Sequence, residues 1–214
     1  MLGTLRQVGT ECQVGTDKLP RMEKPTAWER QRAAVREEIA SAAVALFLAQ
    51  GFDATTIDQI IERVGVSRRS FFRYFGTKED LVLGDLVARG TVIAQALADR
   101  PSDEGPWEAI RASFRDADEM STMDPATTLA FGRMLYDTPS LLARHIEKRL
   151  RWQEMLVPLI APRVPDGPDR LLRASSIVAS SLACLDTASR AWVLSGGDDD
   201  LGALYDRAVA EVRS

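Results

Sequence analysis

The chain has 214 residues, 45% hydrophobic and 27% charged, with a formal net charge of −4 at pH 7. This is enough apolar material for a core, and it excludes a protein that coats nucleic acid over its whole surface. The charge is uneven, however: residues 24–100 carry 11 Lys or Arg against 10 Asp or Glu, while residues 101–214 carry 13 against 18, so a polyanion would dock on the N-terminal part.

The first 23 residues lack the apolar stretch of a signal peptide and repeat Gln-Val-Gly-Thr at 7–10 and 13–16. Residues 1–27 therefore read as a disordered arm, an upstream extension of a chain that could also start at Met22. From Trp28 the pattern turns helical. Val35, Ile39, Ala42, Ala43, Leu46 and Phe47 recur at three- and four-residue spacing, and Gly51 ends that helix. Thr56 and Gln59 form a Thr-x-x-Gln capping box for a short second helix, whose inner face is Ile57, Ile60, Ile61 and Val64. Gly65 breaks it, and Ser67 caps a third helix that runs through Phe71 and Phe75 to a stop at Gly76. Thr77-Lys78-Glu79-Asp80 starts a long fourth helix with Leu83, Leu86, Val87, Ile93 and Leu97 inward, ending near Arg100-Pro101.

Beyond the break at 101–106, helices are expected at about 107–121, 125–136, 139–161, 168–195 and 199–213. No segment alternates with period two. The fold class is therefore all-α, with about nine helices: a helix-turn-helix head at 28–76 and a larger effector-binding and dimerisation body at 77–214. Cys12 and Cys184 belong to no CxxC or Cys/His cluster, so no metal or cofactor is expected, and both suit a reducing cytoplasm. No apolar run reaches the roughly 18–20 residues of a membrane span, and no membrane partner is expected.

A short helix, a tight Gly65-Val66 turn and a third helix make the layout in which the second helix of the pair enters the major groove of DNA. Arg68, Arg69 and Arg73 are long cationic donors for phosphates or guanine edges. Ser67 and Ser70 suit phosphate oxygens, and Tyr74 adds a hydroxyl. Thr55 and Thr56 begin helix two, where free amides bind phosphate. Lys78 stands at the start of helix four, on the other flank. A solvated arginine-rich surface helix is the bland alternative; the capped three-helix setting favours DNA.

The stretch GFDATTIDQIIERVGVSRRSFFRYFGTKEDLV (51–82) resembles the DNA-binding signature of the tetracycline-repressor (TetR) family. The likeness spans residues 32 to 83 and implies a homodimer of all-helical subunits with an effector pocket in the C-terminal body. By position it assigns DNA contacts to Thr56, Arg68, Arg69, Ser70, Phe72, Arg73, Tyr74 and Lys78. Phe72 departs from the family's usual Tyr and removes one hydroxyl-to-phosphate bond, a loss on the order of 1 kcal/mol.

In the body, Trp107, Phe114, Met123, Phe131, Met134, Leu135, Trp152 and Met155 are candidate lining for an apolar effector, though each also suits ordinary core. Arg133, Arg144, His145, Lys148, Arg149 and Arg151 form a basic patch around helix seven. Small residues at three- and four-residue spacing on helix eight, with the apolar face of helix nine, point to a homodimer interface through Arg170–Ser195 and Leu201–Val212. The segment RMLYDTPSLLARHIEKRLRWQEML (133–156) resembles actinobacterial regulators, including the mycofactocin-associated group that responds to acyl-CoA thioesters. An acyl chain or acyl-CoA is thus one candidate effector.

The expected function is a ligand-responsive DNA-binding regulator, a repressor on a near-palindromic double-stranded operator. An enzyme is the competing reading, but His145 is the only histidine and has no nucleophile–base pair, metal spacing or phosphate loop beside it. A protein-interaction adaptor with a vestigial head is the third; salt-dependent duplex binding separates it from the first.

Overall fold

A computed structural model describes residues 26–120 and 123–214, with the backbone alone of Glu29, Leu83, Asp85, Leu86 and Val87. The expected N-terminal arm up to residue 25, and the inward side chains expected at Leu83, Leu86 and Val87, lie outside the described residues. Among those described there are nine α-helices and no strand. They are α1 (Ala27–Gln50), α2 (Ile57–Val64), α3 (Arg68–Tyr74), α4 (Glu79–Ala98), α5 (Pro106–Glu119), α6 (Pro125–Asp137), α7 (Pro139–Ile160), α8 (Arg170–Leu194) and α9 (Leu201–Arg213). A 3-10 turn at Ala161–Arg163 follows α7.

The helix starts follow from local chemistry. The Thr56 hydroxyl accepts from the Gln59 amide at 3.2 Å, and the Thr56 amide donates back to Gln59 Oε1 at 2.8 Å, completing the capping box. Gly65 closes α2 at φ 74°, a left-handed turn that only glycine adopts cheaply. Proline opens α5, α6 and α7, where no amide hydrogen bond is lost. One local reading needs correction. The expected stop at Gly76 falls one residue late: α3 ends at Tyr74, and Phe75 turns extended, at φ −136°. At the start of α4, Thr77 and Asp80 cap each other, Thr77 N to Asp80 Oδ2 at 2.9 Å and Asp80 N to Thr77 Oγ1 at 3.2 Å.

Two cores result. In the head, Ile39 and Phe47 of α1, Ile60 of α2 and Phe71 of α3 are buried together with Leu81 of α4. Leu135 of α6 and Leu141 of α7 complete this same core, so the head is sealed partly by the body. Asp80 links them as well, its other oxygen accepting from Arg144 Nη2 of α7 at 2.9 Å. The second core joins Ile93 and Leu97 of α4, Ile110 and Phe114 of α5, Leu156 and Ile160 of α7, and Val178 and Leu182 of α8.

Within the body, α4 passes α7 at Gly90. A Cβ added there would run into the Trp152 indole and lie 2.9 Å from Met155 Cε. Trp152 is only 8% exposed and has little room to yield. Gly90→Ala gains about 1 kcal/mol of helix propensity but overpacks at a cost of about 1–3 kcal/mol. A lowered urea midpoint is the expected result; a raised one would show that Trp152 swings aside.

Arg163 ties the end of α7 to the end of α4. Its guanidinium donates to the carbonyl of Leu97 at 3.2 Å, of Arg100 at 3.0 Å and of Glu104 at 3.3 Å, and also to that of Pro101. These include carbonyls that the last turn of α4 leaves without intrahelical donors.

By length and composition α8 does reach membrane-span values, with an 18-residue window of mean hydropathy 1.2, which corrects the expectation that no segment would. Leu171, Leu172, Ile177, Val178, Leu182 and Leu185 carry that value, and the interspersed serines lower it. The helix buries Ala174, Val178, Ser181, Leu182, Cys184 and Ala188 inside the body.

Candidate nucleic-acid interface

The head presents α3 on its surface, fixed from beneath by Phe71 and Phe75, which are 0% and 3% exposed. Their rings lie 5.8 Å apart, and Phe72 meets Phe71 edge-on at 5.3 Å. Phe72 itself is 45% exposed, an apolar side chain in a polar face. Ser67 caps α3 by accepting from the Ser70 amide at 3.1 Å, and the two hydroxyls lie 3.0 Å apart. Thr56, Ser67, Arg68, Arg69 and Arg73 are exposed, and Ser70 and Tyr74 are half-buried.

Charge pairing separates the three arginines of α3. Arg68 donates to Asp58 of α2 at 2.6 Å in a solvent-exposed pair. Arg69 and Arg73 have no carboxylate partner among the described residues. Arg73 instead stacks on the Tyr74 ring at 5.1 Å. The helix thus offers two unneutralised guanidiniums and a third held only by a weak surface pair.

Two sequence expectations change. Thr55 is 1% exposed; its hydroxyl donates to the Gly51 carbonyl at 2.8 Å and accepts from Gln50 at 3.1 Å. It closes the turn between α1 and α2, so its side chain is not available to DNA. Lys78 is drawn inward. Its ammonium donates to the carbonyls of Phe52 at 2.7 Å and Thr55 at 3.0 Å and sits 4.1 Å from the Phe52 ring centre. Two of its three donors are thereby used, and one remains for a phosphate.

Sequence reasoning missed one part of this surface. The first turns of α1 border α3 across an open groove of about 420 Å³, lined by Trp28, Gln31, Arg32 and Val35 on one side and Val66, Ser70, Arg73 and Tyr74 on the other. The available signal was an exposed tryptophan ahead of the apolar face of α1; Trp28 is 66% exposed.

In the body, the candidate effector residues are not brought into one cavity. Phe131, Met134 and Leu135 pack against the head core. Phe114, Trp152 and Met155 belong to the body core. Met123 is 43% exposed. Trp107 lines a separate open groove of about 670 Å³ between α5 and α9, beneath Arg213. The reason is rotational: α6 turns Phe131, Met134 and Leu135 to the head core, while α5 and α7 turn Phe114, Trp152 and Met155 to the core they share with α4 and α8.

The basic patch around α7 is largely neutralised. Arg144 meets Asp80 and Glu147, Arg151 meets Glu147, and His145 and Arg149 both meet Asp186 of α8, at 3.0 and 2.7 Å. Tyr136 places its hydroxyl 3.4 Å from the Asp186 carbonyl, and burial pushes its phenol up to about 12. The contrast with α3 is what matters: Arg144, Arg149 and Arg151 meet carboxylates, while Arg69 and Arg73 meet none among the described residues.

Comparison with known proteins decides the identity. Residues 39–84 match bacterial regulatory proteins of the tetR family, and residues 104–214, half of the chain, match the MftR C-terminal domain. The chain belongs to the tetR family. It is 34% identical over 186 residues to the HTH-type transcriptional regulator TcmR of Streptomyces glaucescens, covering 84% of this chain and 82% of that protein. It is 27% identical over 135 residues to the transcriptional repressor AcnR of Corynebacterium glutamicum, covering 63% and 69%. The fold is shared with Thermus thermophilus FadR, a TetR-family repressor solved with lauroyl-CoA, at a TM-score of 0.52 and 21% identity over 82% of this chain and 91% of that one. This member is accordingly a DNA-binding transcriptional regulator and not an enzyme.

Proposed function

We propose that this tetR-family chain is a cytoplasmic repressor that binds a near-palindromic operator as a homodimer and leaves it when a small apolar or acyl-type effector binds the body. The observation that carries the DNA half is the pair of unneutralised guanidiniums, Arg69 and Arg73, on an exposed, capped helix above a rigid aromatic floor. Thr56, Ser67, Arg68, Ser70, Tyr74 and the remaining donor of Lys78 form the rest of the contact set, with Phe72 as an apolar contact. The division of labour is a DNA-binding head at 28–76 and a sensing and dimerising body at 77–214.

Support for the dimer comes from α8 and α9. Leu171, Leu172 and Leu194 of α8 are 65%, 66% and 80% exposed, and Val212 of α9 is 55% exposed. Surface of that kind is covered in a two-fold pair of α8 and α9 from each subunit. Two recognition helices then stand about 34 Å apart, one turn of DNA, which sets the near-palindrome. Support for the acyl effector is the lauroyl-CoA bound by the Thermus protein of the same fold.

Light scattering at micromolar concentration is expected to give the mass of two chains; a monomer would remove the paired-helix operator. Lauroyl-CoA is expected to lower duplex affinity. If it binds the body without doing so, the acyl release reading fails and the repressor reading stands.

A further inference from the structure

We infer that the groove between α1 and α3 is a seat for a backbone phosphate of the operator, with Arg32 as its principal ligand. The inference rests on the operator-binding reading above and adds a contact from α1, outside the helix pair. Arg32 lies 5.5 Å from the Trp28 ring centre and 5.9 Å from that of Tyr74, and Arg73 lies 5.1 Å from Tyr74 on the α3 side. Ring and cation thus alternate across the groove in the order Trp28, Arg32, Tyr74, Arg73.

Cation–π contact with two rings engages the charge of Arg32 without using its N–H donors, which a phosphate can take. It also holds a long side chain in place before any ligand arrives, which lowers the entropy lost on binding. Among the described residues no carboxylate pairs with Arg32 or Arg73. Two like charges facing one groove repel each other, and a phosphodiester satisfies both. The groove opens beside α3, and what runs beside a helix lying in the major groove is the sugar–phosphate strand.

The test is fluorescence anisotropy of the full chain with two duplexes of equal length, one recovered from a random-sequence library by the wild-type protein and one of random sequence. Arg32→Gln is expected to weaken both by the same factor, about tenfold at fixed salt, and to lower the salt slope by about one per bound head. Arg32→Lys restores the slope, and Trp28→Ala gives a smaller loss of the same kind. An unchanged urea midpoint shows that the variants are folded. Unaltered affinity and slope in Arg32→Gln, with binding lost in Arg69→Ala, would overturn the seat and leave operator binding intact. A loss confined to the selected duplex would mean base readout and would overturn the phosphate assignment. Absence of salt-dependent binding by the wild-type chain would bring down the parent reading first, and this one with it.

Discussion

The double variant Arg69→Ala/Arg73→Ala is expected to lose operator affinity by about a hundredfold or more while remaining dimeric. A guanidinium bound to a phosphate or base edge contributes about 1.5–3 kcal/mol, and a two-fold assembly counts each deletion twice. Among the described residues neither side chain has a carboxylate to leave when DNA arrives, so little is lost in exchange. Arg68→Ala is expected to cost less, because Arg68 must first give up Asp58 at 2.6 Å. Gel shift or anisotropy on a selected duplex measures the affinities, and light scattering checks the dimer. Wild-type affinity in the double variant would remove both residues from the contact set.

Arg163→Ala is expected to destabilise the body by about 2–4 kcal/mol, read as a lower urea midpoint at unchanged slope. One guanidinium there donates to the carbonyls of Leu97, Arg100, Pro101 and Glu104. Alanine would leave several backbone acceptors without their charged donor at the negative end of α4. Arg163→Lys keeps the charge but not the planar fork and should recover only part of the loss. A midpoint within the scatter of wild type would mean that water replaces the side chain at no cost.

The helices were legible in the sequence because their ends are local. Thr56 with Gln59, Gly65, Ser67 and the three helix-opening prolines are signals read within four residues. The recognition helix was legible for the same reason. What escaped depends on rotation and distance. Thr55 and Thr56 are chemically alike and adjacent, but only the packing of α1 on α2 decides that Thr55 points inward to Gly51 and Thr56 outward. Lys78 is turned inward by carbonyls more than twenty residues away in the chain. Trp28 and Arg32 line the groove beside α3 only because the first turns of α1 border that helix. Phe131, Met134 and Leu135 looked like pocket lining because their composition says nothing of which core they face.

Asp80 divides its two oxygens between the amide of Thr77, which starts α4, and the guanidinium of Arg144, which belongs to α7. A single carboxylate therefore serves as both a helix cap and a tether. Any displacement of the body that pulls Arg144 away changes the balance of charge at the first turn of α4, the segment that follows the recognition helix by only four residues. One side chain of α7 thus bears on the charge at the helix start that carries the chain out of the head.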